Sequence, residues 1–165
     1  PVMHDDQHGT AIISGAALIN GLEVVGKNVS EVRVVISGAG ASAISCAQHY
    51  LRLGVNADNL LMCDSKGILT KSRGDTGELN EFNLAFARDV DDGGLAEAMI
   101  DADVFLGLSK GGLVSGEMVE SMAERPLIFA LANPDPEILP NDVQAVRDDA
   151  IIATGRSDYP KQSDR

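Results

Sequence analysis

Short apolar runs alternate with stretches of helical spacing along almost the whole chain. Thr10 to Val25 is dominated by small and apolar residues, among them Ala11, Ile12, Ile13, Ala16, Ala17, Leu18 and Ile19. It reads as a buried helix with Thr10 as a possible N-cap, ended by Gly26 and Asn28. Val32 to Ile36 is rich in β-branched residues and reads as a strand buried on both faces. Helical spacing returns from Ser42 to Leu53 and stops at Gly54, and Leu60 to Cys63 reads as a second buried strand ending at Asp64. Ser65 to Leu79 is rich in Gly, Ser and Lys and reads as a loop.

The alternation continues. Glu81 to Arg88 and Leu95 to Ile100 read as helices, Val104 to Leu106 as a third strand and Gly107 to Gly112 as a loop. Ser115 to Ala123 is helical, and Leu127 to Leu131 is a fourth strand running into Asn133-Pro134-Asp135-Pro136. Asn141 to Arg147 is a last helix and Ala150 to Ala153 a fifth strand. Such alternation predicts an α/β fold with a doubly wound parallel sheet covered on both faces. Residues 1–160 read as one domain and 161–165 as a mobile tail without pattern.

Composition agrees with one domain. The chain has 165 residues, 44% of them hydrophobic and only 4% aromatic, so its core must be built from Ile, Leu, Val and Ala. The formal charge of −12 argues against nucleic acid and against anionic membrane surfaces, since both need clustered Lys and Arg. No apolar run is long enough for a membrane span and no signal peptide is visible, so a cytoplasmic protein is expected. Cys46 and Cys63 lack metal-site spacing and are not expected to form a disulfide. The chain opens at Pro1 without a methionine, and reads as a sequence entered mid-protein.

The chemistry concentrates at two places. Gly38-Ala39-Gly40-Ala41-Ser42-Ala43 follows the first strand and opens the next helix, a GxGxxA turn of Rossmann type. The first glycine permits the tight turn, the second lets backbone approach a pyrophosphate, and the helix N-terminus offers free N–H groups. Asp64 lies 24 residues after Gly40, where an acidic residue would bind a ribose hydroxyl. The alternative is a purely structural turn, with Asp64 capping the following loop. At the start of the chain, His4-Asp5-Asp6-Gln7-His8 places two carboxylates and two imidazoles in five consecutive residues. Carboxylate oxygens suit Mg²⁺ or Mn²⁺. Helix capping is the competing reading.

The strings PVMHDDQHGTA, ISGAGASAIS, LMCDSKGIL, FLGLSKGG, RPLIFALANPDPE and ATGRSDYP, in this order, closely resemble the NAD(P)-binding domain of malic enzymes, most of all the bacterial form. The resemblance runs from Pro1 to about Pro160. It implies an enzyme that oxidatively decarboxylates malate to pyruvate and CO₂, using NADP or NAD and a divalent metal (Mg²⁺ or Mn²⁺), and a homo-oligomeric parent. Hydride leaves C2 of malate, and the metal stabilises the enolate formed as CO₂ departs. The resemblance makes Asp6 the metal ligand, with Asp5 as second choice or support. It assigns Gly38, Ala39, Gly40, Ala41 and Ser42 to the pyrophosphate turn, Asp64 to the ribose, and Asn133 to the nicotinamide side. An Asn-Pro turn is the plain alternative for Asn133.

No catalytic residue is assigned within the chain. The family's Glu-Asp metal pair, catalytic tyrosine and catalytic lysine have no match here, so the chain by itself is expected to bind cofactor without turnover. Lys161 to Arg165 departs from the asparagine-rich stretch that the family usually carries, and a second cofactor-binding asparagine finds no match. Asp64 alone favours NAD, but Ser65 and Lys66, with Lys71 and Arg73 following, are what a 2′-phosphate requires. The reading leans to NADP, with NAD tolerated. Two alternatives remain: a stand-alone dinucleotide-binding module, or the cofactor domain of another two-domain dehydrogenase.

Overall fold

A computed structural model of the chain describes residues 5–38, 40–77, 79, 81–108, 112–131 and 137–154; at 5–8, 82 and 154 the side chains lie outside the description. Six strands form one sheet: β1 (Val34–Ser37), β2 (Leu60–Asp64), β3 (Gly67–Ile68), β4 (Val104–Gly107), β5 (Leu127–Ala130) and β6 (Ile151–Thr154), in spatial order β3-β2-β1-β4-β5-β6. Five of them are parallel, as the alternating pattern predicts. The chain moves outward from β1 to β2, then returns across β1 to build β4, β5 and β6 on its other side.

Period-two alternation along the buried strands splits the core into two layers. Val34, Ile36, Leu60, Met62, Val104, Leu106, Leu127 and Phe129 face one cluster, under α1 (Asp5–Val25) and α2 (Ala41–Leu53). Val35, Cys63, Phe105, Ile128, Ala130 and Ile152 face the other. There they meet α5 (Leu95–Met99), α6 (Gly116–Glu120) and α7 (Pro140–Val146). The two cysteines are free, buried and on opposite faces of the sheet, so no disulfide can join them. Burial pushes the Cys46 thiol up, only partly offset by the Ser14 hydroxyl.

Several boundaries differ from the expectation. The first helix starts at Asp5, so the acidic cluster is its opening turn and Thr10 lies inside it instead of capping it. The two aspartates there suit the positive end of the helix dipole. Only one stripe of α1 is covered (Ala11, Ser14, Leu18, Leu22 and Val25), while Ile13 and Val24 stand 72% and 68% exposed. The helices expected over 81–88 and 115–123 shrink to α4 (Glu81–Leu84) and α6. The expected loop over 65–79 is not all loop. It carries β3, antiparallel to β2 across the turn Ser65-Lys66, and a short helix, α3 (Lys71–Asp75), capped by the Thr70 hydroxyl. A two-residue strand and a single-turn helix are too short to leave a periodic signal. The expected tail, 161–165, lies outside the described residues. Among the described residues no helix is long and apolar enough to cross a membrane.

At the amino end of the sheet, ion pairs tie the elements together. Lys27 Nζ meets Asp103 Oδ1 at 2.7 Å, and Asp103 Oδ2 accepts the Arg33 amide. Arg147 grips Asp149 with Nε and Nη2 at 2.7 and 2.9 Å, while its Nη1 donates to the Val119 and Met122 carbonyls. The Arg147 hydrogen bond, opposed by burial and helped by the Arg125 amide, holds the Asp149 carboxyl down at about 2. A carboxyl lowered in the folded state adds stability above its unfolded value near 3.9, and loses it as pH falls through the folded value. Asp149→Asn is therefore expected to lower Tm at neutral pH. Thermal melts should show the gap to the unsubstituted protein closing between pH of about 4 and about 2.

Candidate functional site

The carboxyl ends of β1 and β4 lie side by side at the point where the chain reverses its direction across the sheet, where open α/β sheets place ligands. The turn after β1 is built around two glycines with different jobs. Gly38 has φ +134°, a conformation that L side chains rarely adopt, and its amide donates to the Cys63 carbonyl at 2.7 Å. Gly40 has ordinary extended backbone at the N-cap of α2, and a Cβ added there would meet nothing within 4 Å. Neither conformation nor packing asks for glycine at 40, and no side chain caps the helix it opens. The small residue Ala43, 2% exposed, lets α2 pack close to the turn.

Beside this turn lies a cavity of about 520 Å³, within the range of small-molecule sites. Its walls are Ser37, Gly38 and Gly40 on one side, Cys63 to Gly67 along the end of β2 and its turn, and Gly94, Leu95 and Leu113 opposite. The structure thus brings Gly38, Gly40, Asp64, Ser65 and Lys66 to one cavity. Ala41 and Ser42 open α2 next to it. Ala39 and Asn133 lie outside the described residues. Asp5 and Asp6 lie in the first turn of α1, with their side chains undescribed. Among the described residues no group of three or more His, Cys, Asp or Glu side chains could hold a metal ion.

Asp64 is more engaged than its sequence suggests. Its Oδ1 accepts the Lys66 and Gly67 amides at 2.9 and 3.1 Å, which is the loop-capping role weighed as an alternative. The Arg73 guanidinium completes a bidentate pair, Nη1 to Oδ1 at 3.0 Å and Nη2 to Oδ2 at 2.7 Å. Partial burial pushes the Asp64 carboxyl up, but the Arg73 hydrogen bond, the two amides and the guanidinium charge outweigh it and hold it below the usual carboxylate range. Next to it, burial and then the Asp64 charge raise the Cys63 thiol to about 12, so this cavity-wall sulfur is not a nucleophile at neutral pH. Lys66 and Ser65 are exposed, whereas Arg73, expected as a loop cation for a 2′-phosphate, lies on α3, paired with Asp64 and not among the residues lining the cavity.

Two further features had no local signal in the sequence. Gly67, at φ +128°, sits where an added Cβ would lie 2.2 Å from the Gly93 carbonyl oxygen, and the next amide, Ile68, donates to that oxygen at 2.8 Å. This contact clamps the β2–β3 turn against the opposite cavity wall. Glu137 is fully buried at the far end of the loop after β5, with its carboxyl where a Cβ on Gly107 would be, 2.2 Å from Cδ. The sequence holds it only as the last letter of the string IFALANPDPE.

Comparison with known proteins places the chain among related sequences. The family described as malic enzyme, NAD binding domain, matches residues 7–163. An NADP-dependent malic enzyme of Escherichia coli is 54% identical over 98% of this chain, and an NAD-dependent malic enzyme of Rhizobium meliloti is 48% identical over the same share. The chain spans 21% of the length of each. The crystal structure of an NAD-dependent malic enzyme from Thermotoga maritima superposes with a TM-score of 0.88 at 41% identity, covering 99% of this chain and 43% of that one.

The two glycines at 40 and 67 make opposite predictions for stability. Gly67→Ala is expected to cost about 2 kcal/mol or more, because both the backbone conformation and the Gly93 carbonyl oppose a side chain. Gly40→Val should stay within about 1 kcal/mol of the parent, its Cβ pointing into open space. Urea unfolding midpoints check both.

Proposed function

The chain belongs to the malic enzyme family, as its NAD-binding domain, and from that premise we propose that it holds the dinucleotide in the oxidative decarboxylation of malate to pyruvate. Gly40 is the observation that carries this reading. A glycine demanded by neither conformation nor packing, over a helix N-terminus with no side-chain cap, is a cradle that a Cβ would fill and a pyrophosphate suits. In this reading the turn from Gly38 through Ala39 to Ser42 holds the pyrophosphate. Asp64, Ser65 and Lys66 lie along the adenosine ribose, and Asn133 lies by the nicotinamide. The bound cofactor supplies the hydride acceptor; the chain's own residues bind, orient and shield it. The same proposal extends to residues 1–160 acting as one cofactor domain, without turnover by itself, of a cytoplasmic, homo-oligomeric enzyme.

Cofactor choice is the finer part of the proposal. Relatives named for NADP and for NAD both match the chain well, so their names do not decide it. Lys66 on the cavity wall supports NADP, because its cation can pair with a 2′-phosphate. A divalent metal belongs to the proposal as well, with Asp6 as ligand and Asp5 beside it. Two adjacent carboxylates supply only part of a coordination sphere for Mg²⁺ or Mn²⁺.

Titration with NADPH and NADH, followed by nicotinamide fluorescence, tests the site. Gly40→Val is expected to abolish binding of both while the protein stays folded; full binding by the folded variant would remove the pyrophosphate assignment. Lys66→Ala should weaken NADPH by about tenfold and leave NADH nearly unchanged, whereas an equal loss for both returns the preference to NAD. Calorimetry with Mn²⁺ should detect weak binding at most, and tight stoichiometric binding abolished by Asp6→Asn would show a ligand set larger than the two carboxylates.

A further inference from the structure

The carboxylate at the end of β2 faces the cavity, yet it is already occupied. Oδ1 receives three donors, the amides of Lys66 and Gly67 and Nη1 of Arg73, and Oδ2 receives Nη2 of Arg73. The Arg73 and Asp64 side chains are only 11% and 23% exposed. Arg73 Nη1 also donates to the carbonyls of Gly67 and Ile68, at 3.2 and 3.0 Å, which anchors the guanidinium behind the β2–β3 turn. Asp64, Ser65, Lys66 and Gly67 line the cavity, whereas Arg73 is not among its lining residues. The arginine is held in place by its own helix. The Thr70 hydroxyl accepts the Arg73 amide at 3.2 Å and donates to the Asp92 carboxylate.

We propose that Arg73 sets the cofactor preference of this site without touching the cofactor, by neutralising Asp64. This rests on the reading that places the adenosine ribose along Asp64. A free carboxylate there would accept both hydrogen bonds of a ribose diol and repel a 2′-phosphate. Paired with Arg73, the same carboxylate has few lone pairs left for a diol, and its charge is cancelled within one residue's reach. The repulsion that ordinarily selects against NADP is removed at its source, and Lys66 remains on the wall as the cation available to the phosphate. Asp64 thereby keeps its structural task, capping the turn, without imposing the preference that its position would otherwise impose. Arg73 is a positioning residue acting through Asp64.

The test is the ratio of NADPH to NADH affinity in the full chain, measured by nicotinamide fluorescence for the parent, Arg73→Met, Asp64→Asn and the double variant. Arg73→Met uncovers the carboxylate and is expected to lower the ratio by about tenfold or more. Asp64→Asn uncovers the guanidinium instead and should raise the ratio. The double variant should return toward the parent. A merely structural role would weaken both cofactors together and could not give opposite signs. An unchanged ratio in folded Arg73→Met overturns the proposal, and so does a shift of the same sign in both single variants. If Arg73→Met does not fold, Arg73→Lys takes its place: a cation that cannot make the bidentate pair should still lower the ratio, and an unchanged ratio in folded Arg73→Lys overturns the proposal. If the parent binds neither dinucleotide, the site reading falls and this proposal with it; if the parent binds both and only the ratio is insensitive to Arg73, the site reading stands and the role of Arg73 falls.

Discussion

Burial of the parallel strands on both faces is the constraint on which everything else rests. Strands such as Val34–Ser37 and Val104–Gly107, with every residue buried, can be satisfied only by helices on both sides. Parallel neighbours need a crossover over one face between successive strands, so each of the five parallel strands delivers its carboxyl end to the same edge. That edge is where Gly38, Asp64 and Leu108 meet. The reversal between β2 and β4 leaves the gap there that becomes a cavity.

Within that frame, the site is a compromise between a rigid turn and an open one. The β1–α2 turn combines a glycine that the backbone requires, Gly38, with one that neither backbone nor packing requires, Gly40. The β2–β3 turn is closed from several directions: by the Asp64 carboxylate, by Arg73, and by the Gly93 carbonyl packed against Gly67. A wall so held fixes the backbone that carries Ser65 and Lys66 beside the cavity. The thiol in the same wall, Cys63, is held protonated at neutral pH chiefly by burial.

Much of this was legible in the amino-acid order. The alternation of β-branched runs with helical spacing carries the sheet, because both periods are local and each run is several residues long. The glycine turn and the acidic residue at the end of β2 are legible for the same reason: the geometry they serve is made by neighbours in the chain. The helix that begins at Asp5 reads five residues short in the sequence, since its first turn is polar and contributes nothing to an apolar stripe. The exposure of Ile13 and Val24 is not legible there, because apolar composition alone does not say which side of a helix meets the core.

What the sequence by itself determined is therefore the fold class, the order of the longer strands and helices along the chain, and the glycine turn between β1 and α2. What only the tertiary structure decided is the state of the residues around that turn. Arg73 reads as a loop cation suited to a 2′-phosphate until α3, capped by Thr70, carries it onto Asp64. Gly67 reads as a linker glycine until the Gly93 carbonyl arrives from another loop, and Glu137 as the end of a motif until Gly107 makes room for it. The physical reason is the same in each case. A charge or a Cβ is priced by what stands within a few ångströms of it, and those neighbours are brought together by packing of the sheet and its crossovers, not by any spacing along the chain.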